Sequence, residues 1–283
     1  MAERSSFKEF YPALCGMEQK ISTVEQYIRA VDYACRVLID DSEDVQYSQK
    51  LWFRGLKNAD YPLIPSIGRK DLNVEYELMF LSKFKARAFN CMDQIPIRGK
   101  DEVSEYWEWL FLMQYYGVPT RLLDWTEDAL VALVFAVDQD ATEEEKENDA
   151  AVWCLNPVVL NTAFTFHEYY PSGYIPNVHE KGVYDMFGPF RNSFQNKKPA
   201  AVYGPMNNAK SIVQRIAHTL FPYNVPLTDM RNLSDHSKYL YKITVDKDAK
   251  DSIVKQLKRY GINKSQLMPE LSALAQTIVD QDF

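Results

Sequence analysis

The sequence predicts an α+β fold, a single domain with helical decoration around a sheet. Two observations carry that reading. Helical and strand periodicities follow one another as helix, strands, helices, strands, helix, without the regular alternation of a βαβ protein. No internal repeat and no Pro/Gly/Ser-rich linker divides the 283 residues, although the length alone allows one large domain or two small ones.

The elements are justified in chain order. Over residues 22–43, Val24, Tyr27, Ile28, Val31, Ala34, Cys35 and Leu38 recur at helical spacing, with Ser22 or Thr23 as the cap. Residues 1–45 therefore form an N-terminal helical segment ahead of a body spanning 46–283, the two making one compact domain. Residues 48–56 change to a strand period. Tyr61–Ile67 is extended, because Pro62 and Pro65 exclude a regular helix. Glu75–Phe89 is a second helix, with Leu78, Leu81, Phe84 and Ala88 on one side. Val103–Tyr116 is a third, closed by Gly117 and Pro119 in the order of a helix C-terminus. Thr120–Asp124 is short and extended, and Glu127–Val137 is an apolar helix expected to be buried on most sides.

The acidic run 138–150 has loop composition and leads into a strand at Ala151–Leu155. Residues 156–204, rich in Pro, Asn, Tyr and Phe, show no clear period, and a stretch of that length is often functional. Asn208–Thr219 is expected to be helical. His236–Asp246 alternates, with Tyr239, Tyr241, Ile243 and Val245 on one side, as a half-buried strand does. Asp248–Tyr260 is a helix stopped by Gly261, and Pro269–Val279 is a terminal helix with Pro in its first turn.

Composition narrows the function classes. A net charge of −7 argues against a non-specific nucleic-acid binder, since that binding rests on Lys and Arg neutralising phosphates. A local basic groove, for example around Lys197, Lys198 and Lys210, stays compatible with it. The first residues lack an apolar stretch of signal-peptide length and no later run approaches a membrane span, so no membrane partner is expected. Cys15, Cys35, Cys91 and Cys154 are scattered, as reduced thiols of a cytoplasmic protein are. Neither they nor the four histidines have ligand spacing, so no metal is expected.

No GxGxxG, Walker, GxSxG or HExxH motif occurs. Two other stretches are over-specified. The first is Trp52-Phe53-Arg54-Gly55, a permanent cation inside a run with the character of a buried strand. Arg54 is either a structural salt bridge at the sheet or a guanidinium fork that grips a phosphate or carboxylate. Gly55 beside it would let a ligand approach the backbone closely. The second stretch runs from Gln114 to Thr126, QYYGVPTRLLDWT. It presents Arg121 and Asp124 on an extended segment that feeds a helix with Asp124 or Thr126 at its start. Arg121 either pairs with Asp124 or another buried carboxylate, or faces a ligand. Asp124 and Glu127 have capping-box-like spacing, a role compatible with a second one in a site.

These stretches resemble the FRG-domain family, named for its Phe-Arg-Gly motif. Its strand and extended segment read here as Trp52-Phe53-Arg54-Gly55 and Tyr61-Pro62-Leu63-Ile64-Pro65-Ser66. Its second hallmark runs unbroken from Gln114 through Thr126 to Ala132, Phe135 and Ala136, except that Tyr115 stands where the family usually has His. The resemblance covers about residues 46–138, with a weaker trace at Gly261-Ile262 and Met268–Leu271. Near residues 210–221 the family's Gln and Gly between an Arg and a Phe are absent, although Arg215 and Phe221 are present. The motif layout is more loosely similar to ADP-ribosyltransferases. That likeness implies a small, mixed or split β-sheet surrounded by helices, and NAD as the substrate. It also implies Arg54, Asp124 and Glu270 as catalytic residues, with Arg54, Gly55, Tyr115, Arg121, Trp125 and Thr126 holding NAD. Free-standing enzymes of that type act as bacterial toxins or antiviral effectors. The implied partners are a protein or RNA acceptor and an inhibitory, antitoxin-type protein. A non-catalytic module that binds a nucleotide or a partner through the same residues is the rival reading.

Overall fold

The computed structural model describes residues 20–39, 50–70, 72–88, 91, 97–138, 140–164, 170–171, 174–189, 198–205, 209–223 and 225–268. It is an α+β structure built on one seven-stranded mixed sheet that does not close. Its elements are β1 (Lys20–Ile21), α1 (Val24–Ile39), β2 (Trp52–Leu56), α2 (Ser66–Arg69), α3 (Glu75–Arg87), α4 (Glu102–Tyr115), β3 (Leu122–Thr126) and α5 (Ala129–Ala136). They continue as α6 (Glu143–Glu147), β4 (Ala150–Leu155), α7 (Pro157–Phe164), α8 (Lys181–Phe187), β5 (Ala200–Val202), α9 (Ala209–Val213) and β6 (Ile216–Leu220). The described chain closes with β7 (Leu240–Val245), α10 (Lys250–Arg259) and α11 (Lys264–Leu267).

The strand order is β1-β7-β4-β2-β3-β6-β5, with β1 parallel to β7 and the other neighbours antiparallel. Pairing is not uniform across it. β2 matches β4 along its whole length, from Trp52 opposite Leu155 to Leu56 opposite Ala151. β3 matches β6 in the same way, from Leu122 opposite Leu220 to Thr126 opposite Ile216. Between β2 and β3 the register joins a single pair, Phe53 with Thr126. The sheet therefore forks at its centre, and Arg54 is the first residue of β2 past the joint.

Three apolar clusters hold the sheet. α1, α5 and α10 cover one face through Tyr27, Ala30, Leu38, Ala132, Leu133, Ile253 and Leu257. A tryptophan-rich cluster of Trp52, Trp125 and Trp153 with Leu63 and Phe221 lies on the other. The third packs α4 against Leu122, Ala200 and Leu220. Each large side chain taken fully out of water here stabilises the fold by about 1.5–3 kcal/mol. Tyr27 also donates its hydroxyl to the Ala129 carbonyl at 2.6 Å, tying α1 to α5.

Several sequence expectations shift. The acidic run contains α6, with a capping box between Thr142 and Glu145. It is anchored by Lys250, which donates to the carbonyls of Lys57, Glu145 and Asn148. The helix expected over Asn208–Thr219 is only α9, and the chain then turns into β6. Arg215 makes that turn with φ +46°, a left-handed conformation unusual outside glycine. The stretch without periodicity supplies α7, α8 and β5. The helix expected over Pro269–Val279 lies outside the described residues. Among the described residues no helix is long and apolar enough to cross a membrane.

Candidate functional site

The fork opens into a cleft of about 360 Å³. Arg54 of β2, Asp124 of β3 and His218 of β6 line it with Gln114 and Tyr115 from the end of α4 and Lys210 from α9. Tyr61, Phe111 and Phe135 add aromatic walls.

Pairing geometry explains why these side chains meet. Past the Phe53–Thr126 joint, β3 no longer has β2 to satisfy its inward backbone groups, so side chains take over. Arg54 Nη1 donates to the Asp124 carbonyl at 2.6 Å. Gln114 Nε2 donates to the Leu122 carbonyl at 3.3 Å and to Asp124 Oδ1 at 3.0 Å. Thr120 Oγ1 in turn donates to Gln114 Oε1. Strand alternation sends Leu123 and Trp125 into the tryptophan-rich cluster and turns Asp124 the other way. His218, paired with Asp124 in the β3–β6 register, stands beside it with Nε2 3.4 Å from Oδ1.

Charge and burial separate these groups. The Asp124 side chain is 47% exposed, whereas the His218 ring is 8% exposed. Burial pulls the Arg54 guanidinium down to about 10, Asp124 opposes that shift, and Arg69 at the end of α2 adds to it. Arg54 stays cationic at neutral pH. Its Nε is buried and has no hydrogen-bond partner among the described residues. A guanidinium carries five N–H donors in a rigid fork, and a buried donor without an acceptor is the kind of exception that points to a ligand. Arg69 acts electrostatically on Arg54 and feels Asp124 in turn, which puts a second cation at this end of the cleft. Lys210 lies over the Tyr115 ring at 5.6 Å.

The other sequence candidates are placed differently. Arg121 is fully buried and does not line the cleft. Its Nε donates to Glu77 Oε1 at 2.9 Å, Nη1 to the Phe221 carbonyl and Nη2 to the Tyr106 hydroxyl. It is a structural ion pair, and the expectation that it holds a ligand is corrected. Gly55 lines the cleft, and a Cβ there would sit 2.0 Å from the Ala132 carbonyl oxygen, so its missing side chain makes room for α5 as well. Trp125 borders the cleft but is buried, with its indole N–H on Thr219 Oγ1. Thr126 donates its hydroxyl to the Gln214 carbonyl at 2.6 Å and pins the joint of the fork. The cap of α5 is Asp128, which accepts from the N–H groups of Leu130 and Val131. Asp124 is thereby released from capping. Glu270 lies outside the described residues.

The two motifs also bind each other directly. Ser66 accepts from the Thr120 N–H at 3.1 Å, and Ile67 N–H donates to the Thr120 carbonyl. Their joint appearance in the sequence thus reflects one folded unit around the fork.

Residues 49–145 match the FRG domain. No curated protein and no solved structure matches the chain. The FRG match contains both over-specified motifs and ends within α6. Of the cleft residues it takes in Arg54, Gln114, Tyr115 and Asp124, while Lys210 and His218 come from beyond it. Sequence reasoning passed over His218, Gln114 and Arg69 as site residues. For Gln114 the signal was its fixed place at the head of the second motif. For His218 it was only a histidine in a tract read as helix.

Proposed function

We propose that the protein is an ADP-ribosyltransferase-like enzyme that consumes NAD and modifies a macromolecule. The observation that carries this reading is Arg54, a guanidinium lining an open cleft with its Nε left unpaired among the described residues, set beside a half-exposed carboxylate. Breaking the bond between nicotinamide and ribose builds positive charge on the sugar, so a site for it needs an anchor for the pyrophosphate and a carboxylate near the reacting carbon. Arg54 is the anchor, with Arg69 adding positive potential, and Asp124 is the carboxylate. Tyr115 and Phe111 offer faces or edges for the nicotinamide ring. The C1′–N bond breaks with its electron pair leaving on nicotinamide, and an acceptor O–H or N–H adds at C1′ and loses its proton. A volume near the lower end for small-molecule sites suits the nicotinamide–ribose half, with the rest of the dinucleotide across the mouth.

The acidic net charge favours a protein acceptor over RNA. A cytoplasmic effector held in check by an antitoxin-type protein fits this reading and the scattered cysteines of the sequence. Labelled NAD incubated with the protein and a cell lysate tests it. Label transfer with nicotinamide release is expected, and Arg54→Ala should abolish both while melting at the wild-type temperature. Binding of NAD without release would make the cleft a recognition module, and the absence of any NAD interaction would overturn the reading.

A further inference from the structure

We propose that His218 is a positioning residue for Asp124: as the Nε2–H tautomer it grips one carboxylate oxygen so that the other is presented to the cleft. This rests on the transferase reading of the same site.

The geometry assigns the roles atom by atom. Asp124 Oδ1 already accepts from Gln114 Nε2 at 3.0 Å and has His218 Nε2 at 3.4 Å. No donor among the described residues reaches Oδ2, on a side chain that is 47% exposed. Gln114 fixes that oxygen, and an Nε2–H on the neighbouring imidazole gives it a second donor, which orients the carboxylate and leaves its other oxygen for a developing cation. The tautomer follows from sterics and charge. An unprotonated Nε2 would set its lone pair against the carboxylate, so that nitrogen carries the proton. Nδ1 is buried with no hydrogen-bond partner among the described residues, so an imidazolium would bury a second N–H without an acceptor. The ring is therefore neutral, and its plane is fixed by edge contact with Phe111 at 4.6 Å.

The surroundings are asymmetric. Around the ring, β5 offers the apolar Val202 and α4 offers Phe111 and Gln114, neither of them charged. The charged groups are Asp124 on β3, Arg54 on β2 and Arg69 on α2, the last two coupled to Asp124, with Lys210 of α9 lining the same cleft. Burial holds the imidazole below its ordinary value of 6.5, and Asp124 opposes that shift. Protonation on acidification sets a full positive charge beside Oδ1 and strands Nδ1–H, so the catalytic carboxylate is altered through His218.

Two measurements test this. The first needs no turnover: two-bond ¹H–¹⁵N spectra of the imidazoles should show His218 as the Nε2–H tautomer, titrating below 6.5 and lower again in Asp124→Asn. An Nδ1–H tautomer, or a midpoint unmoved by Asp124→Asn, overturns the proposal. The second follows nicotinamide release against pH. His218→Ala should lower kcat about tenfold with KM for NAD changed less than about twofold. His218→Gln, which keeps a donor but cannot titrate, should recover most of kcat and lose the acid limb of the profile. An unchanged kcat in His218→Ala, or a folded His218→Gln without recovery, overturns it. If the wild-type protein releases no nicotinamide, the transferase reading fails and the spectra still decide whether His218 holds Asp124.

Discussion

Arg54 and Arg121 stand in the two motifs that single this sequence out, and the structure gives them opposite situations. Arg121 has no exposure, and its donors end on Glu77, Tyr106 and the Phe221 carbonyl. Burial alone would pull its guanidinium down, but Tyr106 and Glu77 reverse that and raise it. Among the described residues Arg54 has one protein hydrogen bond, a buried Nε without a partner, and a guanidinium drawn down to about 10. The difference teaches what a motif arginine is for. A guanidinium whose fork is filled by the protein is part of the fold, and one left partly unfilled beside a cleft is disposed toward a ligand.

The largest effect expected of any change to this pair is on Arg121. Removing one partner of a buried pair leaves the other charged and unsatisfied, so Arg121→Ala should cost about 3–5 kcal/mol in urea unfolding. Replacing both partners, as Arg121→Met with Glu77→Leu, should cost less than either single change. A folded Arg121→Ala of wild-type stability that no longer binds NAD would move Arg121 into the site and dissolve the contrast. Arg54→Ala comes next. Unfolding should move by no more than about 1 kcal/mol, since only one hydrogen bond is removed. NAD affinity, followed by calorimetry, should fall by about 2–3 kcal/mol. Arg54→Lys keeps the charge but not the fork and should recover only part of that loss.

Much of this arrangement was legible in the sequence, and the misreadings have a common cause. Apolar period located α1, β2, α4 and α5 to within a few residues, because each buries one continuous face. Gly117 marked the end of α4, whereas the extended run read to Ile67 gives way to α2 already at Ser66. The identity of a side chain's partner was not legible. Glu77 lies 44 residues before Arg121 in the chain, and nothing in its helix marks it as the buried counter-ion. That Gly55 also makes room for α5 was not legible, because the crossing of α5 over β2 is a tertiary fact. His218 was missed because IAHTL lacks a clear strand alternation, and only pairing with β3 makes it a strand.

Gly55→Ala sharpens the comparison from the backbone side and ranks third. A methyl group there meets the Ala132 carbonyl oxygen and the Ala136 N–H, which are main-chain atoms and cannot swing aside. The helix must lift from β2, at a cost of about 1–3 kcal/mol in thermal unfolding. Because Gly55 follows Arg54 at the opening of the fork, NAD affinity should fall with stability in this variant, whereas Arg54→Ala should separate the two. A Gly55→Ala protein that melts like the wild type would mean that α5 does not press on the strand.

The smallest effect is the pH dependence carried by His218. Its folded value lies below the 6.5 of an unfolded histidine because the ring is buried, with Asp124 opposing. Between the two values the unfolded chain binds a proton that the folded chain does not, so stability rises with pH in that window. The contribution of the neutral ring is complete above 6.5, drains away as pH falls through the window, and is fully lost below the folded value. Unfolding measured from pH 7.5 downward should therefore show a slope in wild type that His218→Gln removes. Arg54→Ala should leave that slope in place, since Arg54 contacts the Asp124 carbonyl and not the imidazole. A slope that vanished with Arg54 rather than with His218 would mean that the cation, and not burial of the ring, sets the acid response of the cleft.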